Sequence, residues 1–116
     1  MGHLTHEGLA VVEFRDAAEL DAWLGSADRS DVPVWVRLRR TRSAVPSVTF
    51  HELLKAGIAH GWSESTRHGY DADSYLQRFG PRRTRGTTKT RNREIADRLI
   101  REGRMTPAGM RALGRT

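Results

Sequence analysis

The segment Val32-Pro33-Val34-Trp35-Val36-Arg37-Leu38-Arg39-Arg40 decides the fold. Its residues alternate, with Val34, Val36 and Leu38 on one face and Trp35, Arg37 and Arg39 on the other. That period of two belongs to a strand whose faces meet different surroundings. Pro33 lacks an N–H donor and is tolerated near the strand's start. Trp35 has two readings: a stacking platform for a base or acyl group, or a packing residue that lies under a helix or covers arginine stems. The packing role is the expected one.

On the N-terminal side, Leu9 to Phe14 is a short run rich in β-branched residues and reads as a second strand. Asp16-Ala17-Ala18-Glu19 then has capping-box spacing, a side-chain acceptor followed three residues later by a carboxylate. The helix it opens carries Ala17, Leu20, Trp23 and Leu24 on one face, which makes Trp23 a core residue. On the C-terminal side, Thr49-Phe50-His51-Glu52 repeats the capping signal, and Phe50, Leu53, Leu54, Gly57 and Ile58 form a buried stripe. His51 and His60 fall beside that stripe and lack an acidic partner at ligand spacing, so no metal site is expected.

Gly61 to His68 and Tyr75 to Phe79 read as two strands around a turn. A turn centred on Asp71 would place Glu64 opposite Arg78. The basic stretch 80–89 has little apolar side chain to bury and is expected to be the most mobile internal part. A helix follows over 90–102 with Ile95, Ala96, Leu99 and Ile100 inward, joined by Asn92 near its start. Thr106-Pro107 supplies an N-cap and a proline at the first helical position, opening a last short helix through Leu113.

These elements make one α+β domain over 1–116: a small antiparallel sheet of three to four strands packed by about four helices. The strands lie near 9–14, 32–40, 61–68 and 75–80, and the helices near 16–25, 49–60, 90–102 and 107–113. Residues 1–8 need not be ordered. A chain of 116 residues can bury roughly 65% of its unfolded surface, enough for one core without staples. The absence of cysteine excludes disulfides, thiolate metal sites and cysteine nucleophiles. No apolar run approaches the roughly 20 residues of a membrane span. The N-terminus carries no export pattern, so a cytoplasmic location is expected.

Charge divides the chain. The 20 Lys and Arg exceed the 14 Asp and Glu by 6, yet residues 1–77 alone carry a net −3 and residues 78–116 a net +9. Arginine supplies nearly all of the excess, and its planar fork suits carboxylate and phosphate.

Arg78-Phe79-Gly80-Pro81-Arg82-Arg83, then Asn92, then Gly103-Arg104-Met105-Thr106-Pro107-Ala108-Gly109 together resemble the YdeI/OmpD-associated family of bacterial proteins. Trp23-Leu24, Val34-Trp35-Val36 and Gly61-Trp62 fall where that family carries its WL, VWL-type and FGWID segments. The resemblance runs from about Phe14 to Ala112. Gly86-Thr87-Thr88-Lys89 replaces the family's serine and tryptophan, and His60-Gly61-Trp62-Ser63-Glu64 keeps an acid without the isoleucine. The chain is expected to be a short form without the family's further C-terminal helical region. The resemblance implies a role in bacteriocin protection or resistance to cationic peptides, with no defined reaction.

Three functions are weighed. The first is a non-enzymatic, stress-associated protein whose Arg78, Arg82, Arg83 and Asn92 converge on an anion, with Trp62 as wall and Glu64 as orienter. Its alternative is that these residues only tie the hairpin to the next helix. The second is non-specific nucleic-acid binding through Arg82, Arg83, Arg85, Lys89, Arg91 and Arg93. About five phosphate contacts would give a salt slope near −4 to −5. In this reading Glu94 with Arg98 and Asp97 with Arg101 neutralise part of the next helix. The third is catalysis by Glu64, His68, Asp71 and Asp73. No G-x-S-x-G, phosphate loop or paired metal motif accompanies them, so no catalytic residue, cofactor or metal is assigned. The partner is an anionic ligand or a protein, with nucleic acid as the alternative.

Overall fold

The computed structural model describes residues 4–27, 29–83 and 89–115. In chain order it contains β1 (Thr5–His6), β2 (Leu9–Glu13), α1 (Ala17–Leu24), β3 (Val34–Arg39) and α2 (Phe50–His60). Then come β4 (Trp62–Gly69), β5 (Ser74–Pro81), α3 (Thr90–Arg101) and α4 (Pro107–Leu113). The architecture is α+β, as expected, but the sheet is mixed and has five strands in the order β1-β2-β3-β5-β4.

Two features of the chain account for the difference. Glu7 and Gly8 both have positive φ, 49° and 80°, the conformation of a two-residue hairpin turn. That turn folds Thr5–His6 back as an edge strand, in a segment for which the sequence alone required no order. In addition α1 is a crossover. A helix between two strands returns the chain to the same end of the sheet, so β2 and β3 run parallel, with Val12 beside Val36.

The capping signals act as read. Asp16 accepts from the Glu19 N–H at 2.9 Å, while Thr49 and Glu52 form a complete capping box. Helices α1 and α2 cover one face of the sheet. Val34, Val36 and Leu38 project into this layer with Leu20, Leu24, Leu53, Trp62 and Phe79, and Trp23 packs against it. Fully burying one such side chain contributes roughly 1.5–3 kcal/mol. Helix α2 has a second apolar flank, where Leu54, Ile58 and Ala59 meet Ala96 and Leu99 of α3, with Met105 and Leu113 at the edge. The chain is therefore layered as sheet, α1–α2, then α3–α4.

The last motif of the sequence has a packing explanation. Thr106 caps α4 and sends both its backbone N–H (3.0 Å) and its hydroxyl (2.6 Å) to the carbonyl of Ala59 near the end of α2. Gly61 ends α2 in the left-handed conformation at φ 80°, where a Cβ would lie 2.9 Å from the Ala108 carbonyl oxygen. Thr106-Pro107-Ala108-Gly109 thus clamps the Ala59-His60-Gly61 turn, and Trp62 emerges from that clamp.

Trp35 is almost fully buried, at 1% exposure, on the sheet face opposite to that of Val34 and Val36. His68 stacks on its ring at 4.7 Å between centroids, and His6 meets it edge-on at 5.0 Å. The burial agrees with the packing role expected of Trp35, while the histidine cover was not foreseen because residues far apart in the chain supply it.

Candidate anion-binding cleft

The N-cap residues, the αL turn at Gly61 and the return of β5 bring one group of side chains to a common opening. Arg29, Asp31, His60, Gly61, Trp62, Pro81, Arg82, Arg83, Ala108, Arg111 and Ala112 line an open cleft of about 530 Å³. That volume lies in the range of small-molecule sites. Trp62 forms its floor. The indole is 2% exposed and is fixed by Trp23 and Phe79, whose ring centroids lie 5.4 and 5.2 Å away.

Arg29 is held over the Trp62 ring with its guanidinium carbon 4.8 Å from the centroid. Its Nε donates to the Leu24 carbonyl at 2.9 Å and its Nη1 to Asp31 at 2.9 Å. The Arg29 fork is therefore oriented before any ligand arrives, and Asp31 takes up part of its charge. His60 stands on the α2 side of the opening, where its Nε2 meets Asp21 at 2.7 Å. Arg82 is anchored through its backbone N–H to the Gly61 carbonyl at 2.9 Å, while Arg83 and Arg111 stand exposed at the rim. Four arginines facing one aspartate give the cleft a positive field.

Of the residues expected at an anion site, the structure brings together Trp62, Arg82 and Arg83. Asn92 is buried on the inner side of α3 and lines a small adjoining cavity with Ile58, Trp62 and Arg82. Its Oδ1 accepts from Arg91 Nε at a long 3.5 Å. Arg78 and Glu64 do not line the cleft. Arg78 is in register with Trp35, so alternation sends it to the opposite face of the sheet. Glu64 is in register with Phe79, two positions along β4 from the opening.

The expected Glu64–Arg78 pairing also fails, for a reason visible in the backbone. The hairpin is centred one residue later than Asp71, which alone would set Glu64 opposite Gly80, and the register shift between Glu64 and Arg67 takes back one position, leaving Glu64 opposite Phe79. Asp71 is the first residue of the turn, accepting from the Asp73 N–H at 2.9 Å and the Ser74 hydroxyl at 2.8 Å. The Ser74 hydroxyl, then the Asp73 N–H and Arg37, hold its carboxyl below the usual range.

Asp71 and Asp73 are structural partners rather than a free acid and base. Arg37 meets Asp71 at 2.7 Å, and Arg39 bridges Glu13 at 2.6 Å and Asp73 at 3.0 Å. The Glu13 carboxylate, more than Asp73, raises the already high pKa of Arg39. His68 lies with His6, away from this network.

On α3 the expected neutralising pairs are absent among the described residues. Asp97 instead reaches Arg115 at 2.8 Å, because the end of α4 packs beside α3. Arg91, Arg93, Arg98 and Arg101 are exposed. Arg85 and the rest of 84–88, the centre of the loop expected to be mobile, lie outside the described residues.

Sequence reasoning missed Arg29 and Arg111. Nothing local marks Arg29, which lies in the polar loop 26–31, or Arg111, which sits on a short helix 29 positions beyond Arg82. The docking of α4 against the Gly61 turn brings Arg111 to Trp62, and the bonds of Arg29 to Leu24 and Asp31 hold it over the same ring. No helix among the described residues is long and apolar enough to cross a membrane.

A family model described as a domain of unknown function (DUF8412) matches residues 12–112, and the chain belongs to that family. Neither curated proteins nor solved structures gave a match. Nothing in these comparisons links the chain to the YdeI/OmpD-associated family.

Proposed function

We propose that this DUF8412 member is a non-enzymatic binding protein that holds a small multivalent anion, a phosphate or carboxylate, in the cleft around Trp62. The observation that carries the reading is the convergence of Arg29, Arg82, Arg83 and Arg111 on one concave surface with an aromatic floor. Arginine forks bind such groups bidentately, and Arg29 is already oriented for it. The buried Trp62 ring backs the Arg29 guanidinium that would meet the ligand. The resemblance to the YdeI/OmpD-associated family adds a stress- or resistance-associated role to the proposal.

A second reading has its own support. With Asp97 engaged by Arg115, the exposed Arg91, Arg93, Arg98 and Arg101 make α3 more basic than its sequence pairs suggest. Together with Arg82, Arg83 and Lys89 they would contact phosphates of nucleic acid without reading bases.

One experiment separates the two. Protein labelled with 15N is titrated with inorganic phosphate or pyrophosphate, and separately with a short DNA duplex at low and physiological salt. Cleft binding moves the Trp62 indole resonance with pyrophosphate, and the combined Arg83→Ala and Arg111→Ala change weakens it on the order of tenfold or more. Salt-sensitive shifts on α3 with Trp62 unmoved would favour nucleic acid. Silence of Trp62 toward every anion would overturn the cleft reading.

A further inference from the structure

The two ends of the sheet order meet. His6 belongs to β1 and His68 to β4, the first and last strands in the order, yet His6 Nε2 and His68 Nδ1 are 3.0 Å apart. The sheet therefore curls until its edges touch above Trp35. Glu7, in the β1–β2 turn, brings a carboxylate oxygen to 4.0 Å from His68 Nδ1. One ligand atom from each of these three residues lies within 4.8 Å of the others.

We propose that His6, His68 and Glu7 form a binding site for a divalent transition metal ion of the zinc type, which rivets the two sheet edges together. Zinc takes imidazole nitrogen at about 2.0–2.1 Å and carboxylate oxygen at about 2.0–2.2 Å, so tetrahedral ligand atoms stand roughly 3.3 Å apart. The two ring nitrogens need to separate by only a few tenths of an ångström. The carboxylate must close by less than 1 Å on His68 and by up to about 1.5 Å on His6, and it belongs to a side chain that is 61% exposed. Three protein ligands leave the fourth position to water.

The rings are preset. Trp35 stacks under His68 and stands edge-on to His6, and its own burial fixes both from below. The turn contributes as well, because Glu7 holds φ 49°, a conformation that Asn, Asp or Gly would adopt more readily. A carboxylate retained there lies beside the histidine pair. Without metal, the two nitrogens share a hydrogen, and each ring's tautomer follows from the other. Binding replaces that hydrogen by the ion.

Zinc ions are titrated into the whole protein by calorimetry, with cobalt as a spectroscopic probe of four-coordination. The expected result is one ion per chain, a rise in Tm on loading and a shift of the Trp35 indole resonance with Trp62 unmoved. His6→Gln and His68→Gln should each weaken binding on the order of tenfold or more, and Glu7→Gln should weaken it less but measurably. Glu7→Gln alters an exposed turn residue and leaves the Trp35 cover in place, so it tests the site even if a histidine variant folds poorly. His3→Ala serves as a control and should leave affinity unchanged. The proposal is overturned by no binding up to about 1 mM zinc, the weak end of the affinity scale. It is equally overturned by affinity that ignores Glu7→Gln and both histidine changes, or by affinity that follows His3.

Discussion

Gly109→Ala should destabilise the protein although alanine is the better helix former. Gly109 is the third residue of α4, and an added Cβ would fall well inside van der Waals contact distance of the Ala59 carbonyl oxygen. It would also lie 2.6 Å from Met105 Sδ and 2.8 Å from the Ala59 carbonyl carbon. Met105 can swing aside, but the Ala59 backbone cannot, because it ends α2 and accepts both donors of Thr106. Relief requires α4 to withdraw from α2.

Three contributions set the size. Overpacking costs about 1–3 kcal/mol. Stretching the Thr106 bonds to Ala59 loses about one net hydrogen bond, roughly 1 kcal/mol. Helix propensity returns at most about 1 kcal/mol. The balance is a loss of about 2 kcal/mol, or roughly 8 °C in Tm for a domain of this size. Urea denaturation with the m-value compared to the parent measures it. Gly69→Ala is the control, since a Cβ there meets nothing within 4 Å, and should stay within about 0.5 kcal/mol. A Gly109→Ala protein as stable as the parent would refute the clamp.

The other expectations follow from separate parts of the fold. Thr49→Ala breaks the capping box of α2 and should cost about 1 kcal/mol by chemical denaturation. Phe79→Ala removes a fully buried ring beside Val34 and Trp62 and should cost about 3–5 kcal/mol, with the Trp62 fluorescence shifted toward that of a wetter indole. Asp71 titrates below its ordinary value in the folded state, so its turn and Arg37 bonds stabilise the protein at neutral pH and above the unfolded carboxylate pKa. That contribution is lost as pH falls through the folded value, below about 3.9, and Asp71→Asn should flatten the acid limb of a stability–pH curve. In phosphate titrations Arg104→Ala, which lies outside the cleft, should leave affinity unchanged while Arg83→Ala weakens it.

Periodicity, caps and turn residues act within a few positions of the chain, so the sequence alone determined where every described element but β1 lies, to within about two residues. The two helix caps, the alternation of Val34 to Arg39 and the Thr106-Pro107 start all stand where local chemistry puts them. It also determined that an arginine excess gathers in the last third. Tertiary structure decided everything that depends on which strand lies beside which. The α1 crossover made β2 and β3 parallel, and a β4–β5 hairpin centred one residue beyond Asp71 separated Glu64 from Arg78. The docking of α4 drew Arg111 to Trp62 while strand alternation turned Arg78 to the opposite face, and the curl of the sheet brought His6 to His68 across the whole strand order. These outcomes rest on contacts between residues tens of positions apart, whose energies no local pattern carries. The strand partners and the α4 clamp choose them.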